Sequence, residues 1–161
     1  SLVADLFAPP ERAGELARIR HAEILHSRVG ECQALLFVSW LSNALGWCPQ
    51  SASRTEKGRA FRFAGPSGDV TVELAPGPPE VALDRVCLFS EELTFRVQIS
   101  RREKHADAHS TVMRGSEFVG ERTVNLGSLG LSALLGEEFR FPGRDETYES
   151  ALRRAVKLLN L

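Results

Sequence analysis

The chain has 161 residues, 43% of them hydrophobic and 25% charged, with 20 basic side chains against 21 acidic ones. That length buries one core without disulfides or metals, and a net charge of -1 gives no long-range pull toward nucleic acid or an anionic membrane. No run reaches the ~18 apolar residues of a membrane span, and three cysteines at no zinc-like spacing suit a reducing compartment. The expectation is a cytoplasmic protein with neither nucleic-acid nor membrane partner.

In chain order, Leu2, Val3, Leu6 and Phe7 recur at helical spacing until Pro9-Pro10 ends the segment. Arg18 to His26 reads as a strand. From Ala34 to Leu45 the apolar residues fall three and four apart, which predicts a helix covered on most sides, with Leu36 and Trp40 widening its apolar surface. Gly46 supplies the left-handed stop and Pro49 bars any resumption. Cys32 and Cys48 flank this helix roughly 20 Å apart at ~1.5 Å per residue, far beyond the ~7 Å a disulfide allows; all three thiols are expected to be buried and unreactive.

Ser51 to Gly58 reads as a polar connection. Ala60-Phe61-Arg62-Phe63 and Val70 to Leu74 alternate around Gly65-Pro66-Ser67-Gly68, as a hairpin does. Pro76-Gly77-Pro78-Pro79 is a loop. Four further runs, Ala82 to Phe89, Leu93 to Arg101, Ala106 to Met113 and Phe118 to Leu126, read as a meander, the second with one apolar and one polar face. Ser128 and Asp145 are plausible caps for two closing helices, the last with Tyr148, Leu152, Ala155, Val156 and Leu159 expected on its buried face. The fold expectation is a single α+β domain over 1–161: a mostly antiparallel sheet of about six or seven strands, with the Ala34–Leu45 helix and two carboxy-terminal helices on one side.

Chemistry-bearing patterns are sparse. His21 and His26, five apart, point to opposite faces of a strand, and His105 and His109 would stand roughly 13 Å apart, too far for one zinc. No metal site is expected. Walker, G-x-G-x-x-G, G-x-S-x-G and H-E-x-x-H patterns are absent, and Gly127-Ser128-Leu129-Gly130 reads as a cap and turn. Asp84, Glu91-Glu92 and Glu121 are too dispersed to suggest an acid–base couple. Arg62, Arg85, Arg96, Arg101, Arg102 and Arg122 either converge as a cationic patch or pair across strands with Glu73, Asp84 and Glu121, and pairing is the simpler reading. No catalytic or cofactor-binding residue is assigned.

Two segments carry a family resemblance. Ala34-Leu35-Leu36 with Trp40-Leu41-Ser42-Asn43-Ala44-Leu45-Gly46-Trp47 resembles the tryptophan-bearing helix of the glucose-6-phosphate dehydrogenase assembly protein (OpcA) family. Leu134-Leu135, Glu137-Glu138-Phe139 and Arg144 to Leu152 are similar to that family's closing pattern, and Leu2 to Pro10 to its entry into the carboxy-terminal half. The resemblance implies a non-catalytic, cytoplasmic, bacterial protein without cofactor that binds glucose-6-phosphate dehydrogenase and promotes its active oligomer. It also implies that the chain corresponds to the family's carboxy-terminal domain. Trp47, Arg96 and Gln98 are the expected partner contacts, since Trp and Arg are enriched in binding hot spots. The alternative is a module binding a sugar phosphate or other anion on an arginine-bearing sheet face. A third class is a thiol enzyme built on Cys87 and a histidine.

Overall fold

A computed structural model of the chain describes residues 12, 14–102, 105–125 and 146–161. It is an α+β fold. Eight strands form one mixed sheet: β1 (His21–His26), β2 (Cys48–Thr55), β3 (Gly58–Gly65), β4 (Gly68–Pro76), β5 (Leu83–Phe89), β6 (Leu93–Arg102), β7 (His105–Arg114) and β8 (Glu117–Asn125). Their order across the sheet is β2-β3-β4-β1-β5-β6-β7-β8. Neighbours pair antiparallel except β1 with β4, which run parallel with Glu23 opposite Glu73 and Ile24 opposite Leu74. Two described helices accompany the sheet, α1 (Glu31–Ala44) and α2 (Glu146–Leu159). No helix among the described residues is long and apolar enough to cross a membrane.

The expected six or seven strands become eight because the supposed polar connection after the first helix is β2. Its sequence, Cys-Pro-Gln-Ser-Ala-Ser-Arg-Thr, lacks apolar alternation because it lies at the sheet edge, largely exposed. Its register shifts between Pro49 and Ser51, where proline has no N–H to give a ladder. The parallel pair corrects the picture of a plain meander: β1 is inserted between β4 and β5, although α1 and the next two strands separate it from β4 along the chain.

Alternation decides which side holds the core. Ala22 and Ile24 of β1, Phe61 and Phe63 of β3, Val70, Val72 and Leu74 of β4, and Phe95 and Val97 of β6 are buried in one cluster with Ala34, Leu35, Val38 and Leu41 of α1. Ser39 and Ser42 are buried with them; their hydroxyls donate to the carbonyls of Leu35 (2.7 Å) and Ser39 (3.0 Å), which satisfies them inside the helix. The helix is less covered than expected. Leu36, Phe37 and Trp40 are only half-buried, and Cys32 lies exposed at its amino end. Gly30 precedes it with no room for a side chain: a Cβ there would stand 1.9 Å from the Ala82 carbonyl oxygen.

The helix stop is as expected. Gly46 has φ +66°, and the amides of Gly46 and Trp47 donate back to Asn43 (3.3 Å) and Ser42 (2.8 Å). This geometry throws Trp47 inward, against Phe63, with ring centroids 5.9 Å apart. α2 packs against α1 and β2. It buries Ala151, Ala155 and Leu158 and leaves Leu152, Val156 and Leu159 exposed, so the expected buried face is rotated toward its neighbour. Arg154 donates from its guanidinium to the Trp47 carbonyl, tying α2 to the end of α1. The predicted helices at Leu2 to Phe7 and after Ser128 lie outside the described residues.

Candidate functional site

The side of the sheet away from the core cluster collects the polar chemistry. There β1 presents His21 and Glu23, β4 Thr71 and Glu73, β5 Arg85 and Cys87, β6 Arg96 and Gln98, and β7 His109 and Thr111. Registers make them neighbours: Glu23 lies opposite both Glu73 and Cys87, Cys87 opposite Arg96, Arg85 opposite Gln98, Arg96 opposite Thr111, and Gln98 opposite His109. Each is placed by the two-residue period of its strand.

At the centre, His21 Nε2 lies 3.4 Å from Glu23 Oε1 and 3.7 Å from Glu73 Oε2. The imidazole also tilts against the Phe89 ring at 5.3 Å. These three donors lie within 4.8 Å of one another. Sequence reading missed the trio because it compared histidines only with histidines. The i, i+2 spacing of His21 and Glu23 was a usable signal; the parallel strand that brings Glu73 alongside was not.

Cys87 lies beside the trio and is 3% exposed. Burial pushes its thiol pKa above the ordinary 9.0, only partly opposed by the Arg96 hydrogen bond and the charges of Arg96 and Arg85. A buried, protonated thiol is a poor nucleophile, which argues against the thiol-enzyme reading. Cys32 and Cys48 are exposed, contrary to the expectation that all three would be buried. Burial likewise raises the Asp84 carboxyl above 3.8, with Arg85 pulling the other way.

Among the described arginine side chains, Arg62, Arg85 and Arg96 do not gather into one patch, and Arg122, opposite Ser110, belongs to the other face; the side chains of Arg101 and Arg102 lie outside the described residues. Arg85 and Arg96 flank Cys87 on adjacent strands, whereas Arg62 sits three strands from Arg85, about 14 Å across the sheet at ~4.8 Å per strand, and level with Phe89 rather than with Arg85. Among the described contacts, the expected cross-strand pairs are also redistributed. Arg85 acts on Asp84, but Glu73 faces His21, and Glu121 faces His109 at 3.9 Å. His109 Nδ1 and the Thr123 hydroxyl complete that second cluster at 2.9 Å.

Of the expected partner contacts, Arg96 and Gln98 do share the open face, exposed and half-buried respectively. Trp47 does not. It is 1% exposed and belongs to the core. The apolar residue just after a glycine-stopped helix commonly packs back on that helix, and that pattern was legible in the sequence.

Comparison with known proteins supplies context for this geometry. Residues 1–152 match the family model that describes the C-terminal domain of a glucose-6-phosphate dehydrogenase subunit. No curated protein matches the chain. Among solved structures, KijD10, a 3-ketoreductase from Actinomadura kijaniata, is similar in three crystal structures of its complex with NADP and TDP-benzene. Two of these are of point mutants, with TM-scores of 0.54 and 0.55 at 12% and 13% identity, covering 99% of this chain and 55% of that one. The third has a TM-score of 0.50 at 12% identity over 93% of this chain and 57% of that one. The chain thus spans about half the length of these structures, and at such identity the likeness is one of fold.

Proposed function

Because the chain belongs to the family of C-terminal domains of the glucose-6-phosphate dehydrogenase subunit, we propose that it is a non-catalytic partner of glucose-6-phosphate dehydrogenase that promotes the enzyme's active oligomer. Family membership over residues 1–152 is the observation that carries this reading. The open sheet face supports it by offering an extended strand surface with Arg96 and Gln98 on β6 beside His109 of β7. Buried Cys87 gives no nucleophile there. The chain acts as a single α+β unit, and Arg96 and Gln98 are its contacts in this proposal. An assembly factor works only if it binds the active oligomer more tightly than the other states, since equal binding shifts nothing.

The test is co-purification with the same organism's glucose-6-phosphate dehydrogenase, followed by activity at low substrate with and without the full-length protein. A complex and raised activity are expected, and Arg96→Ala with Gln98→Ala should weaken association while costing at most about 1.5 kcal/mol of folding stability. No complex and no activation by the full-length protein would overturn the proposal. Among the described side chains, the anion-binding alternative rests on Arg85 and Arg96, since Arg62 is remote. Calorimetry with glucose 6-phosphate separates it: tight binding by this chain would favour the module.

A further inference from the structure

We propose that His21, Glu23 and Glu73 form a surface site for a divalent transition-metal ion of the zinc type. The proposal stands apart from the dehydrogenase reading and needs no partner protein. Its basis is the strand arrangement. His21 and Glu23 are two apart on β1 and therefore share a face, while parallel pairing sets Glu73 directly opposite Glu23.

Two carboxylates directly opposite one another on neighbouring strands repel. Here both turn toward the same imidazole nitrogen, and the arrangement is relieved by a cation at their centre. The spacing is near what one needs. Tetrahedral ligands at ~2.0–2.1 Å from zinc lie about 3.4 Å from each other; the His21 nitrogen is 3.4 Å and 3.7 Å from the two carboxylate oxygens, and all three donors lie within 4.8 Å, so rotation of the half-exposed glutamates closes them on one ion.

The donor set narrows the ion. One imidazole and two carboxylates suit zinc and its neighbours, whereas calcium asks for six to eight oxygens and magnesium for a near-octahedral oxygen shell. Phe89 packs on the His21 ring and restricts its rotation, which lowers the entropy lost on binding. The three side chains are 32%, 46% and 48% exposed, so the ion has an entry path and a fourth position open to water.

The experiment is isothermal titration of zinc chloride into the intact chain carrying Cys32→Ser and Cys48→Ser, so that exposed thiols do not compete. One equivalent should bind, and cobalt(II) in its place should give the intense visible bands of a four-coordinate site. His21→Ala and, separately, Glu73→Gln should each weaken binding at least about tenfold. Both substitutions are at exposed or half-exposed positions, and circular dichroism would verify folding. Failure to bind zinc would mean that the trio is only an ion-paired surface cluster and would overturn the proposal. Binding unaffected by both substitutions would place the ion elsewhere and overturn it equally.

Discussion

At the scale of single residues, the two tryptophans exchange the roles that their neighbourhoods suggest. Trp40 lies within the apolar helix yet is half-buried beside Phe37, with ring centroids 5.8 Å apart. Trp47, beyond the helix stop, is in the core. Periodicity describes a helix's own surface but not how deeply each position sits once a second helix arrives, which is why Trp40 was over-buried by reading sequence alone. Trp47→Ala is expected to cost about 3–5 kcal/mol of stability by opening a cavity against Phe63. Trp40→Ala should cost less. Urea unfolding of both variants checks the order, and a reversed order would place Trp47 outside the core. Arg96 and Gln98 were legible for a simpler reason: β6 alternates cleanly, so its wet positions can be read directly.

At the scale of elements, the strands with one buried face were readable to within a few residues, because β3, β4 and β6 carry the period of two that a half-buried sheet demands. β2 was not, since an exposed edge strand has no apolar face to display. α2 presents a different ambiguity. Two apolar rows run along it, Ala151-Ala155-Leu158 and Leu152-Val156-Leu159, and either could have been the buried one. The row with alanines is the buried one, and its small side chains permit a close approach of α2 to α1, against which it packs. Leu158, fully buried, should therefore lose about 2–5 kcal/mol on substitution by alanine. Leu159→Ala, at a position 54% exposed, should stay within about 0.5 kcal/mol. Thermal melts of the pair decide it: equal losses would mean that the exposed row is also packed.

At the scale of the whole molecule, the central parallel pair was beyond sequence reading, because β1 and β4 are separated by a helix and two strands and nothing local names their partnership. That one pairing creates the open-face centre by bringing Glu73 to His21 and Glu23, with Cys87 next in line on β5. Cys87 consequently reports on the integrity of the sheet. Under native conditions iodoacetamide should label Cys32 and Cys48 and spare Cys87, whose modification should track global unfolding in urea. The same burial sets a pH dependence. Since the folded-state pKa of Cys87 is raised, its contribution to stability is fully present below the ordinary 9.0, where the thiol is protonated in both states. Above that value the unfolded chain releases its proton first, and the contribution is lost as pH rises through the folded pKa. Cys87→Ala lacks this term, so the stability advantage of the unsubstituted chain over Cys87→Ala should shrink between pH 8 and about pH 10. A difference that stays constant over that range would show that Cys87 loses its proton as readily in the folded sheet as in the open chain, and that the face beside Glu23 is wetter than its packing implies.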